Sequence, residues 1–158
     1  MEDTQKELTM TREFNAPRDL VFKAWTDPEL VKQWWGPDGV TNEVEEWNVM
    51  PGGDLRLTMV AGQELGPMAG QRWPMSGEFK EVEEPSKLVF TGNAIVDGKE
   101  VLEHVTTVTF EEVNGVTHMT VHVQITKTTP EAAGPLAGME QGWNQQLDKL
   151  VTFVSIQQ

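Results

Sequence analysis

From residue 40 to residue 126 the sequence alternates with period two in segment after segment. From Pro130 it changes to one long helical pattern. This order constrains the fold more than any other feature. Strands linked by short turns form an antiparallel meander. Such a sheet needs a cover for one face, and a single long amphipathic helix supplies it.

The individual segments follow from their spacing. Residues 5–14 alternate as a first strand, with Leu8, Met10, Arg12 and Phe14 in register. Asn15-Ala16-Pro17 signals a helix start, with Val21, Ala24 and Trp25 at helical spacing behind it. Asp27-Pro28 repeats the signal for a second short helix carrying Val31, Trp34 and Trp35, which Gly36-Pro37 stops. Val40–Val49 reads as a strand ending at Pro51-Gly52-Gly53, and Leu55, Leu57 and Met59 mark the buried side of the next. Ala61–Pro74 reads as the longest loop, a class of segment often tied to function.

Further strands are expected near Ser76–Val82 and over Lys87–Val96, Val101–Val113 and Val116–Thr126. Asp97-Gly98 and Asn114-Gly115 are their hairpin turns. On the last helix Met139, Trp143, Gln146, Leu147, Leu150 and Phe153 or Val154 share one face, and Gly134-Pro135 marks a place where it could break. The order is β, α, α, about six β, α. We expect an α+β helix-grip architecture over 1–158: a curved antiparallel sheet around a long C-terminal helix, in one domain.

Bulk properties narrow the partners. The formal net charge of -13 repels phosphate backbones and anionic headgroups, so nucleic acid is not an expected partner. The same charge gives solubility, or a surface that meets a basic partner. With no Cys, disulfides, thiolate metal sites and cysteine nucleophiles are excluded. No stretch reaches the ~20 apolar residues of a membrane span. Met1-Glu2-Asp3 lacks an apolar signal core, which points to the cytoplasm.

Few residues carry chemistry. Parity places His104 on the core side of its strand with Val108 and Phe110, and His118 and His122 on the outer side of the next. These three do not converge, so no metal site is expected. His104 reads either as a polar anchor or general base in a pocket, or as a core-rim histidine bonded to backbone. Arg56 should face away from the core. Paired with Glu78 it would grip a carboxylate if buried, and would add little at the surface. No phosphate loop, dinucleotide fingerprint or nucleophile elbow is present, and no cofactor is implied.

The large apolar groups suggest a pocket. Trp143, Met139 and Leu147 would line its helix side, Trp35 would add a wall, and Trp73 with Met68 would cover an entrance. Each also reads as ordinary packing.

A family resemblance rests on a joint pattern. Phe14-Asn15-Ala16-Pro17 leads into Val21-Phe22-Lys23-Ala24-Trp25, and Thr26-Asp27-Pro28-Glu29-Leu30 into Trp34-Trp35-Gly36-Pro37. Pro51-Gly52-Gly53, Gly77-Glu78-Phe79, Lys87-Leu88-Val89-Phe90-Thr91 and Gly142-Trp143 with Leu147 and Leu150 follow. Over roughly residues 8–155 this resembles the bacterial branch of the activator-of-heat-shock-ATPase (Aha-type) domain family, within the START-like (SRPBCC) superfamily. Many relatives carry Asp-x-Arg before Pro-Gly-Gly, where this chain reads Asn48-Val49-Met50. The resemblance implies the fold and a cavity, without fixing a reaction.

Three functions stand open. The first is binding of an apolar small molecule in that cavity, with His104 as its polar contact. The second is a cyclase- or hydrolase-like enzyme, which needs two converging titratable groups. The third is stimulation of a chaperone ATPase, which an exposed apolar patch near Trp34-Trp35 would favour. A homodimer or other protein partner is left open as well.

Overall fold

The structure, a computed structural model, describes residues 2–157. A long first strand, β1 (Glu2–Phe14), leads into two short helices, α1 (Arg18–Thr26) and α2 (Pro28–Trp34). Six strands follow: β2 (Val40–Trp47), β3 (Asp54–Ala61), β4 (Arg72–Glu83), β5 (Lys87–Val96), β6 (Lys99–Val113) and β7 (Val116–Thr128). A 3-10 segment, Gln63–Met68, joins β3 to β4, and a 3-10 turn, Pro130–Ala132, opens the last helix, α3 (Ala133–Gln157).

The strands form one antiparallel sheet in the order β1-β7-β6-β5-β4-β3-β2. The β5–β6 and β6–β7 hairpins close as their dipeptides require. Asp97 and Gly98 take φ of 53° and 77°, and Asn114 and Gly115 take 52° and 78°. Positive φ at both central residues matches the turn to the twist of the strands.

The helix starts differ from each other. Asp27 caps α2, its side chain accepting a hydrogen bond from the Glu29 amide at 2.9 Å. The expected Asn15 signal is displaced at α1, where extended Pro17 occupies the cap position without a side-chain bond. A carboxylate from β6 takes over: the Arg18 amide donates to Glu112 at 2.8 Å.

Three further expectations are corrected. The loop after Ala61 is shorter than its Gly and Pro content suggested, because Trp73 and Pro74 already lie in β4. Strand β2 ends at Trp47, short of Val49. Helix α3 runs unbroken through Gly134-Pro135, since Pro is tolerated in a first helical turn.

The core lies between the sheet and the helices, and is dominated by aromatic rings. Trp25 and Trp34 meet edge to face at 4.8 Å. Trp35 touches Trp25, Trp34, Trp47, Phe90 and Trp143. The Trp34 and Trp47 indoles donate to the backbone carbonyls of Ala24 and Trp25 at 3.0 and 2.9 Å. The apolar bodies are therefore buried without orphaning those two polar edges. A second, smaller cluster of Val101, Leu102, Ile125 and Ala132 sits apart from the first.

Candidate functional site

Strand β6 sends Leu102, His104, Thr106, Val108 and Phe110 to the buried face. Leu102 belongs to the small apolar cluster, and Val108 and Phe110 to the large one. His104 and Thr106 stand between them along the strand. The His104 ring is 6% exposed, and its Nδ1 lies 2.9 Å from Thr106 Oγ1. Gly92 and Ile125 flank it on the neighbouring strands. Burial pushes its pKa down to about 4, so the ring is neutral near pH 7. Among the described residues its Nε2 makes no hydrogen bond.

Helix α3 covers this face unevenly. From Trp143 onward it is tightly held, with Trp143, Leu147, Leu150 and Val154 buried. Polar bonds fasten the same stretch. Arg12 donates to Asp148 at 3.1 Å and to the Asn144 side chain at 2.8 Å. Gln146 accepts from the Gly36 amide, Gln145 accepts from the Asp38 amide, and Lys149 donates to the Pro37 carbonyl.

The first half of α3 is looser. Leu136 and Met139 are only half-buried, although both pack on the small cluster. Met139 also reaches the large one. The helix thus bridges the His104 seam with its less buried end.

The residues singled out from sequence divide into two groups. Trp35, Trp143 and Leu147 are parts of the large packed core, with Trp35 and Trp143 rings 6.0 Å apart. His104 and Met139 adjoin the seam. Trp73 lies in β4, opposite Met59 of β3. It is half-buried on the same parity as Met75 and Phe79, and its indole donates to Gln71 at 3.2 Å. It stands three residues beyond Ser76, whose amide bonds the side chain of Asn93 beside Gly92. Trp73 and His104 therefore share one end of the sheet. Met68, in the 3-10 segment, is 44% exposed.

The outer face carries a feature that sequence did not reveal. Beyond Phe79 the β4–β5 ladder stops, and side chains replace it. The Ser76 amide donates to Asn93 at 2.9 Å and the Glu78 amide to Thr91 at 3.0 Å. A polar groove of about 620 Å³ opens along this split, between Arg56 and Glu46 on one side and Glu100 and Glu103 on the other. Arg56 faces outward, and its partner is Glu46, not Glu78. Glu78 pairs with Lys80 instead. A second cleft of about 420 Å³ runs between α2 and β2. His118 and His122 also face outward, 3.1 Å from Glu13 and 2.9 Å from Glu7. No described helix is long and apolar enough to cross a membrane.

Residues 15–155 match the family described as Activator of Hsp90 ATPase homolog 1-like protein. No curated protein matches the chain. Solved structures do. A protein from Chromobacterium violaceum superposes with a TM-score of 0.79 at 21% identity, covering 94% of this chain and 96% of the other. An AHSA1 protein from Silicibacter pomeroyi gives 0.78 at 23% identity, covering 97% and 100%. A protein from Arthrobacter aurescens, solved by NMR in solution, gives 0.78 at 21% identity, covering 96% and 91%. At these identities the likeness is one of fold.

Proposed function

The chain belongs to the Activator of Hsp90 ATPase homolog 1-like family, and on that premise we propose that it binds an apolar small molecule beneath the first half of α3. The observation that carries this reading is His104: a buried, neutral imidazole with a free Nε2, set on an apolar face under a loosely held helix segment. Met139 and Leu136 supply apolar contact from above, with Leu102 and Ile125 below. Trp73 and Met68 flank the entrance in this reading. Trp143, Leu147 and Trp35 form its back wall, fixed by the large core.

Affinity comes mainly from apolar area removed from water, about 25 cal/mol per Å². The polar contact orients the ligand more than it holds it. A single-domain, cytoplasmic binding protein is part of the same proposal.

The two rival readings draw less support. Acid–base catalysis needs a second group near His104, and among the described residues no other ionisable side chain is buried. Chaperone stimulation was tied to an apolar patch at Trp34-Trp35, but these residues are 0% and 3% exposed.

Native mass spectrometry of the protein purified from cells, followed by organic extraction, tests the reading. A discrete added mass that recurs between preparations supports it. No added mass, with no thermal shift across an apolar small-molecule library, sinks it.

A further inference from the structure

Strand β2 ends the sheet, with β3 as its one paired neighbour. The bonds around it show which of its backbone groups stay open. The Gly62 amide donates to the Gly39 carbonyl at 2.7 Å, and the Asn48 amide to the Asp54 carbonyl at 2.9 Å. Antiparallel partners alternate between residues that bond each other and residues that turn both backbone groups away. Counted inward from Gly39 and Gly62, the pairs Val40–Ala61, Asn42–Met59 and Val44–Leu57 are of the second kind. Ala61 agrees, since its amide and carbonyl bond Gln71 and Gly70 on the side of β4. Asn42 and Val44 therefore direct their N–H and C=O groups away from β3, along the cleft that α2 and β2 line. Among the described residues no hydrogen bond takes these groups. Asn42 Oδ1, on the same edge, has no donor either.

The side chains of this cleft give it a sign. Glu29, Glu43, Glu45 and Glu46 line it, against Lys32. Lys32 is held by Glu29 at 2.6 Å, Glu43 is paired with Arg72, and Glu46 with Arg56. Glu45 accepts from the Thr58 hydroxyl at 2.8 Å and forms no ion pair among the described residues. Glu43 lies opposite Thr58, so both carboxylates stand on one face of the edge.

We propose that β2 is a docking edge for a short, extended, basic segment of another polypeptide, which pairs with Asn42 and Val44 as an added strand. Main-chain bonds of this kind supply affinity, and alternate side chains supply specificity. Three residues of the segment cover the open stretch. The first and third bond Asn42 and Val44, and their side chains turn toward Pro28 and Glu29, where small groups fit a cleft of about 420 Å³. The middle residue stands opposite Glu43 and shares its face, so a Lys or Arg there meets Glu43 and Glu45. The register shift between Val44 and Glu46 ends the regular edge and limits the length of the segment.

Charge selects this occupant over the others. A second copy would set Glu43, Glu45 and Glu46 against their own kind, in a chain of net charge -13. A small cation would meet the carboxylates and leave the backbone groups unbonded. None of these residues lines the His104 seam, so the outcome for this edge is independent of the apolar-ligand reading.

The test is titration of the 15N-labelled full chain with the peptide acetyl-Thr-Ala-Lys-Ala-Thr-amide, followed by amide spectra and hydrogen exchange. We expect the Asn42 and Val44 amides to shift saturably and to exchange more slowly. A peptide with Glu in place of Lys should not bind. A peptide N-methylated at both Ala residues keeps its charge but loses the pairing donors, and should not bind either. Glu45→Gln keeps an acceptor for Thr58 and should weaken binding by up to about five-fold, the scale of an exposed ion pair. Equal binding of the N-methylated peptide would reduce the surface to a charge contact and overturn the strand addition. Binding of the Glu peptide, unchanged affinity in Glu45→Gln, or no saturable shift at Asn42 and Val44 would overturn it as well. Protection of these two amides that rises with protein concentration in the absence of peptide would give the edge to a second copy and overturn the basic partner.

Discussion

Gly92 and His104 face each other across β5 and β6 so closely that a β-carbon on Gly92 would stand 2.6 Å from Nε2 and 2.8 Å from Cε1. No real β-carbon is tolerated at that distance, so the ring keeps its place only because residue 92 has no side chain. Gly92→Ala should displace the imidazole and cost roughly 1–3 kcal/mol of stability, the usual scale for overpacking a core. Urea denaturation measures the loss, and the His104 ring resonances report the displacement.

His104 should also give the domain an acid-sensitive stability. Its pKa falls from 6.5 to about 4 on folding because burial disfavours the charged form. The unfolded chain therefore takes up the proton first as pH drops. The contribution is fully present above about pH 6.5 and is lost progressively as pH falls toward 4, amounting to roughly 3 kcal/mol. His104→Gln removes the titrating group. We expect the difference in pH dependence between wild type and variant, measured by urea unfolding from pH 7.5 to 4.5, to have this sign and window. Parallel curves would contradict it.

Two tryptophans separate packing from recognition. Trp35 lies amid five aromatic neighbours and is 3% exposed. Trp35→Ala should cost about 3–5 kcal/mol. Trp73 is half-buried at the end of the sheet, so Trp73→Ala should cost clearly less. If Trp73 flanks the entrance, its loss should still weaken binding of a small apolar probe, indan-1-one. Thermal unfolding and titration of the two variants distinguish these effects.

Gln146 ties α3 to the turn after α2. Its Oε1 accepts from the buried Gly36 amide at 2.8 Å. Gln146→Leu keeps the apolar contact and leaves that amide without a partner, at an expected cost of about 1–3 kcal/mol. Hydrogen exchange at Gly36 should accelerate in the variant. Unchanged exchange would mean that the bond does not hold the turn.

The fold was legible in the sequence because its signals were local. Asn114-Gly115 and Asp97-Gly98 set two hairpins, and the change of period at Pro130 set the last helix. The parity of His104 followed from Val108 and Phe110 on the same strand. Trp73 was misplaced in a loop because Gly70 and Pro74 bracket it, and Pro is unusual inside a strand. What permits it there is the split from β5, which frees that stretch of β4 from backbone pairing on one side.

The split itself had no readable signal. It depends on Asn93 and Thr91 meeting the amides of Ser76 and Glu78, contacts between residues more than ten apart. The same limit applied to Arg56, whose choice of Glu46 over Glu78 depends on register across β2 and β3. The partnership of His104 with Thr106 lay in plain spacing, two residues apart on one face. Its meaning came only with burial, which removes water as an alternative partner.

The most direct test of ligand binding beneath the first half of α3 is a methyl NMR titration of methionine-labelled protein with indan-1-one. Met139 stands at the seam, whereas Met50 is exposed elsewhere, at 52%. We expect the Met139 methyl to shift saturably while Met50 stays unmoved. Shifts confined to Met50, or no saturable shift at Met139, would contradict a site under that helix.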